Sequence, residues 1–379
     1  MSAESLLLQL LGTEAVTAAQ AVAEAACLAG WVQREGTVGA LPKPDDSPVT
    51  VADFAVQALV ARRLASAFPD VPLVAEEDAS QLRCATAGHL HARVADFVRR
   101  FEPDVDSDGV LDWIDRGRGT PGRRYWTLDP IDGTKGLLRG GQYAVALALI
   151  QDGAVEVGIL GCPRLSLRGA AVLRAETDVH GLGLAIAVRG RGAWWVLPLA
   201  EEITRLSVST VADPTRAGVL HPFETAHSDV VQLERVLRAI GSGVEPVLMD
   251  SQAKHVVLAA GRADLLLRFP TIPNSHDAIW DHAAGSLLIS EAGGQVSDLA
   301  GQPLDFSAGR RLWRNNGLVA SNGWLHDAAL RAIEAARAGP ALASAYPRNV
   351  NTAQRASRTS DSRWSQRRKD RRRRGPGRP

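Results

Sequence analysis

Asp129-Pro130-Ile131-Asp132-Gly133-Thr134-Lys135 follows directly on the strand-like run Tyr125-Trp126-Thr127-Leu128. Two carboxylates three positions apart stand at a strand end, and a glycine, a hydroxyl and a cation come next. Acids beside a turn of backbone N–H groups can hold a divalent metal together with the phosphate that the metal bridges. Pro130 fixes the backbone and removes a donor, which lets both carboxylates turn toward one point. The plain alternative is an Asp-rich turn with a helix cap, so the rest of the chain has to decide.

Upstream of this stretch, residues 4–29 read as one amphipathic helix stopped by Gly30. A Gly/Pro/Asp-rich loop spans Gly36 to Pro48. A second helix opens at Val49 to Asp53 and reaches about Phe68, with Thr50 and Asp53 in a capping arrangement. Pro69-Asp70 turns into a short strand, Val71 to Ala75, ending at Glu76-Glu77-Asp78. Residues 87–102 read as helix, and Asp104 to Arg124 as a polar, Gly-rich loop. Downstream, Gln142 to Gln151, Ala154 to Leu160, Ala170 to Arg174, Gly183 to Arg189 and Ala193 to Leu199 read as an antiparallel meander. After about residue 205 helices and strands alternate. Helices are expected at Val230 to Ile240, Ser251 to Gly261, Asp281 to Ala292 and Leu325 to Ala338, with strands at Val244 to Met249 and Ala263 to Phe269.

With 379 residues the chain can build two domains with buried cores. A composition of 45% hydrophobic and 22% charged residues fits a globular protein. No apolar run approaches the roughly 20 residues of a membrane span. Met1-Ser2-Ala3-Glu4 lacks the basic start of a secretory signal. Cys27, Cys84 and Cys162 lie far apart, which argues against a disulfide framework or a thiolate metal site and suits a reducing cytoplasm. The net charge of +1 hides an asymmetry: residues 351–379 carry eleven Lys or Arg against two Asp. Residues 339–379 are expected to be a disordered basic tail. Arg371 to Arg374 would suit nucleic acid or an acidic surface, although a solvated tail is the plainer reading.

Thr50 to Asp53, Glu76-Glu77, Asp129 with Asp132, and Trp280-Asp281 each place acids at the edge of an expected element. All are oxygen donors with no Cys or His cluster, a donor set for a hard cation such as Mg²⁺. Each has a bland alternative. Asp53 can simply cap a helix, and Glu77 reads as a surface or supporting acid. Asp45 and Asp46 read as loop acids near the metals, and Lys254 can be an exposed helix residue.

The ordered segments Val74-Ala75-Glu76-Glu77, Trp126 to Thr134, Ile279 to Gly285 and Glu291 to Gly294 resemble the inositol monophosphatase superfamily, whose members are lithium-sensitive, Mg²⁺-dependent phosphomonoesterases. Ser47 to Thr50, Gly133 to Gly140, Gln142 to Leu149, Gly161-Cys162-Pro163 and Asp250 to Lys254 resemble its 3′(2′),5′-bisphosphate nucleotidase subgroup. The resemblance covers roughly residues 5–338 and not the tail. It implies an α+β fold, a two-domain layered αβαβα sandwich. An N-terminal domain, 1–205, would carry an antiparallel sheet and most metal ligands, and a C-terminal α/β domain, 206–338, would complete the site.

The same resemblance implies that Glu76, Asp129, Asp132 and Asp281, with the main-chain carbonyl of Ile131, ligate Mg²⁺. Thr134 and Asp53 would be the catalytic pair that deprotonates the attacking water. The N–H groups of Gly133 and Thr134 would hold phosphate oxygens, and His227, Ser251, Lys254 and Arg268 would contact the nucleotide. Asp78 stands where relatives have serine, and His255 where many have tyrosine. The implied activity is hydrolysis of the 3′ phosphate of adenosine 3′,5′-bisphosphate, a by-product of sulfate activation and transfer, by metal-activated water in the cytoplasm. Two rivals are a phosphatase of inositol or sugar monophosphates and a catalytically silent scaffold whose basic tail binds nucleic acid.

Overall fold

Ala144-Val145-Ala146-Leu147-Ala148-Leu149-Ile150 alternates small and large apolar side chains, and every one of them is buried. A strand buried on both faces must lie between two packed layers. In the computed structural model, which describes residues 3–36, 40–42, 48–84, 87–167, 182–222, 228–241, 246–272 and 275–338, it does. Val145, Leu147 and Leu149 join a core with the helices Thr13–Arg34 and Val51–Ala67, while Ala144, Ala146, Ala148 and Ile150 join a second core with the helices Ala253–Ala259 and Ala283–Glu291.

This strand belongs to a seven-stranded sheet in the order Leu73–Ala75, Arg124–Asp132, Ala144–Gln151, Ala154–Cys162, Gly183–Val188, Gly192–Leu197, Glu202–Arg205. The first pair is parallel and the rest antiparallel. A five-stranded sheet runs Val247–Leu248, Val219–His221, Leu265–Arg268, Leu318–Ser321, Gln295–Ser297. Leu220, Leu266, Leu318 and Ala320 face the second core. Val219, Leu265, Leu267 and Val319 face a third, closed by the helices Val230–Ile240 and His326–Ala338. The layers are therefore helix, sheet, helix, sheet, helix: the expected αβαβα sandwich.

The small residues of the second core let the middle helices approach closely. A Cβ on Gly158 would lie 2.7 Å from the carbonyl oxygen of Ala284, a backbone atom that cannot swing away. Gly158→Ala is expected to cost about 2 kcal/mol through overpacking, read as a lower denaturation midpoint at unchanged slope.

Several expectations are corrected. The first helix is two, Ala3–Leu11 and Thr13–Arg34, because Gly12 sits at φ +84°, and Gly30 continues the second rather than stopping it. Thr13–Arg34 is, by length and composition, long and apolar enough to cross a bilayer, contrary to the sequence reading; 61% of its apolar window is buried inside the protein, where it serves as a core helix. Within Asp104 to Arg124, the Asp106 side chain accepts from the Gly109 N–H (2.7 Å) and starts the helix Ser107–Asp115, which buries Val110, Leu111 and Ile114. The strands Val219–His221, Gln295–Ser297 and Leu318–Ser321 were not foreseen, and the expected strand at Val244 to Met249 shrinks to Val247–Leu248. The expected strand at Ala170 to Arg174 and the basic tail lie outside the described residues.

Candidate active site

On a regular strand, side chains three positions apart point to opposite faces. Asp129 pairs with Ala146 and Asp132 with Ala144, so one extra residue is bulged out between them. Ala144 and Ala146 share the face of the second core, and the bulge therefore turns both aspartates to that side. Pro130, which has no N–H to donate, sits inside the bulge, and Ile131 anchors it by burying its side chain in the first core.

The chain then reverses at Gly133, where φ is +91°. A Cβ there would also meet Ser251 Cβ at 3.0 Å and the Gln142 carbonyl at 3.3 Å, so glycine is required twice over. The short helix Thr134–Arg139 begins immediately. Thr134 Oγ1 lies 3.2 Å from Asp53 Oδ1 and 3.1 Å from the Ile131 carbonyl. Asp53 is buried in the first turn of Val51–Ala67, and its Oδ2 accepts from the Thr50 N–H (2.8 Å) and hydroxyl (2.6 Å). The Thr50 hydroxyl in turn accepts from the Ala52 N–H (3.1 Å), completing the cap.

Glu76, Asp129, Ile131, Asp132, Gly133, Thr134, Ser251, Lys254, Arg268 and Asp281 all line one cavity of about 270 Å³. Asp53 reaches it only through Thr134. His227, like the loop acids Asp45 and Asp46, lies outside the described residues. Glu77 is buried and its N–H is held by the Gln57 side chain (3.0 Å).

Ser251 adopts φ +63°, a costly conformation for a residue with a Cβ. The kink aims the Gln252 N–H at Asp132 Oδ2 (2.6 Å). Gln252 also donates to the Trp280 carbonyl (3.0 Å) and accepts from the Gly285 N–H (3.3 Å), tying the two acid-bearing segments together. Lys254 is buried and donates to the carbonyls of Met249 (3.2 Å) and Ser251 (2.7 Å). Burial pulls its pKa down to about 8, with Asp132 and Asp250 opposing. Arg268 forms a two-pronged pair with Asp277, at 2.7 and 3.0 Å, and His282 Nε2 lies 3.0 Å from the same carboxylate. Against the cost of burial, Arg268 and His282 hold Asp277 ionised far below the usual carboxylate range. His255 packs its ring where a Cβ on Gly285 would stand, 2.4 Å away, which explains glycine there.

Burial pushes the Asp132 carboxyl up, and burial together with the charges of Asp277 and Asp132 pushes Asp281 up to about 7. The cavity thus gathers more negative charge than its protein neighbours balance. As placed, no group of three or more His, Cys, Asp or Glu among the described residues is close enough to hold an ion. The acids share a cavity and do not form a closed cage, because protein donors hold them apart. Asp132 takes the Gln252 N–H and Asp281 the Ala278 N–H (3.0 Å). The all-oxygen donor set and its uncompensated charge nevertheless fit a hard divalent cation after side-chain rotation.

Sequence reading missed Gln252, Asp277 and His282. Gln252 and Asp277 are ordinary polar residues whose roles depend on distant partners. His282 stood within the quoted Ile279 to Gly285 segment, but nothing there marked it as the partner of Asp277.

Residues 7–353 match the family model described as the inositol monophosphatase family. A 3′(2′),5′-bisphosphate nucleotidase of Emericella nidulans is 39% identical over 338 residues, covering 83% of this chain and 95% of the relative. A protein of the same name from Oryza sativa is 39% identical over 335 residues, covering 85% and 93%. Among solved structures, an IMPase of Thermotoga maritima superposes with a TM-score of 0.56 at 20% identity, over 84% of this chain and 95% of that one, a likeness of fold. By the family match and these relatives, the chain belongs to the inositol monophosphatase family.

Proposed function

We propose that this protein is a Mg²⁺-dependent phosphomonoesterase that removes the 3′ phosphate of adenosine 3′,5′-bisphosphate, releasing AMP and phosphate. The observation that carries the chemistry is the bulged Asp129–Asp132 strand end, which shares its cavity with Thr134 and, behind it, Asp53. The substrate reading leans on the relatives that carry the bisphosphate nucleotidase name over most of this chain's length.

In this reading Glu76, Asp129, Asp132, Asp281 and the Ile131 carbonyl hold the metal, with residues 1–205 and 206–338 acting as two domains around the site. Bound Mg²⁺ supplies Lewis-acid polarisation of the phosphate and raises the acidity of water. The N–H groups of Gly133 and Thr134 receive phosphate oxygens. Asp53 accepts the Thr134 proton, which frees a threonine lone pair to orient the attacking water and take its proton. The attack is direct and in line, with no covalent enzyme intermediate.

The phosphate that is not cleaved needs cations. Lys254 commits two of its three donors to carbonyls, which leaves one for a ligand. Arg268 faces the cavity with Asp277 behind it, and Ser251 and His227 complete the proposed nucleotide contacts. Lithium sensitivity, a cytoplasmic setting and a place beside sulfate activation belong to the same proposal.

A substrate panel tests it. Adenosine 3′,5′-bisphosphate should be turned over far faster than inositol 1-phosphate, and the reverse order would overturn the nucleotidase reading in favour of the inositol phosphatase. Lys254→Met should raise KM for the bisphosphate by about 10- to 100-fold, the scale of one charged hydrogen bond, and change the rate on a nucleoside 3′-monophosphate little.

A further inference from the structure

Arg310 comes from the irregular segment between the strands Gln295–Ser297 and Leu318–Ser321, far in sequence from any acid of the cavity. Its backbone is tied to the segment that carries Asp281. The Ile279 N–H donates to the Arg310 carbonyl (3.1 Å), Arg311 pairs with Ala278 in an antiparallel bridge, and the Leu312 N–H donates to the Asp277 carbonyl (3.0 Å). Its side chain leaves in the other direction. The guanidinium donates to the carbonyl of Ala75, the residue before Glu76, and reaches the Gly117 and Gly119 carbonyls at 3.5 and 3.4 Å. Its face lies 4.9 Å from the ring centroid of Trp280, the residue before Asp281.

Those carbonyls belong to a tightly built corner. The Ala75 N–H donates to the Gly117 carbonyl (2.8 Å) and the Gly119 N–H to the Leu73 carbonyl (2.9 Å). A Cβ on Gly119 would lie 2.3 Å from the Leu73 carbonyl oxygen, and one on Gly117 would lie 2.8 Å from the Ala75 Cβ. The glycines bring two backbone carbonyls beside that of Ala75, and one planar fork satisfies all three while stacking on an indole. On the far side of Glu76, Gln57 grips both backbone groups of Glu77, at 2.6 and 3.0 Å.

We propose that Arg310 is a positioning residue that sets the gap between Glu76 and Asp281, and thereby the affinity of the cavity for its metal. The inference rests on the reading of those acids as metal ligands. It makes no claim that Arg310 touches substrate.

The test is calorimetric titration of Mg²⁺ into full-length wild type, Arg310→Lys and Trp280→Leu without substrate, alongside thermal unfolding of the metal-free proteins and kinetics at varied Mg²⁺. Lysine keeps the charge and loses the fork and the stacked plane. Arg310→Lys should weaken Mg²⁺ binding by about 10- to 100-fold, the scale seen for residues that orient metal ligands. Trp280→Leu should weaken it by about threefold to tenfold, through loss of the cation–π contact. At saturating Mg²⁺ kcat should largely recover in both, with KM for the nucleotide near wild type. Trp280→Leu keeps the test decisive if the arginine variant does not fold. A lower melting temperature with unchanged Mg²⁺ affinity would overturn the positioning role. Wild type that binds no Mg²⁺ would instead overturn the metal reading beneath it, and that arm is read first.

Discussion

Replacing Asp129 with asparagine is expected to lower Mg²⁺-dependent turnover by at least about a thousandfold, more than the loss of a residue that only orients a ligand, while the protein stays folded. The amide has nearly the shape of the carboxylate, so the bulge, the buried Ile131 and the pairing with Ala146 are all retained. What is lost is one negative charge in a cavity where burial already pushes the Asp132 and Asp281 carboxyls upward. In metal-free protein that loss removes repulsion, so the melting temperature should match or exceed that of wild type. With Mg²⁺ present the order should invert, because wild type gains stability from the ion and the variant gains little. Thermal unfolding with and without Mg²⁺, read beside phosphate release, separates the two effects. Turnover within tenfold of wild type would remove Asp129 from the metal site.

The elements legible in the sequence are those whose signal is local. Val230–Ile240 announces itself by its apolar spacing and the Asp229 cap, and Ala144–Gln151 by uninterrupted burial on both faces. The site was legible for a related reason: Pro130, Gly133 and the paired aspartates are residue types that a bulge followed by a reversal demands. The three-residue strands of the second sheet were not legible, since their pairing partners lie tens of residues away and three residues carry no period. The helix Ser107–Asp115 was hidden by Gly109 and three aspartates, although Asp106 was its cap. Gln252, Asp277 and Arg310 were invisible because a polar side chain shows its purpose only through what it meets, and Arg310 meets carbonyls 191 to 235 positions away. Asp53 was read as either a cap or a catalytic partner. The structure gives it both geometries at once, one oxygen to Thr50 and the other to Thr134.

That division of labour within one carboxylate makes Thr134→Ala the sharper test of catalysis. Removing the hydroxyl should slow kcat by about two to four orders of magnitude, the range for a positioned acid–base group, or about 3–5 kcal/mol of barrier. Mg²⁺ affinity should hold, since no proposed ligand is touched. Stability should hold too, because the cap on Val51–Ala67 uses the other Asp53 oxygen and stays closed. Thr134→Ser keeps the hydroxyl and should remain within about tenfold of wild type, less than the smallest loss expected for a missing acid–base group. Asp53→Asn should behave differently from both, because it strikes two functions together. It should lose rate like Thr134→Ala and also about 1 kcal/mol of stability from the weakened cap. If Thr134→Ala turned over at the wild-type rate, the hydroxyl would have no part in activating water. Asp53 would then be what a helix start ordinarily requires, and the base would have to be sought among the other acids lining the cavity.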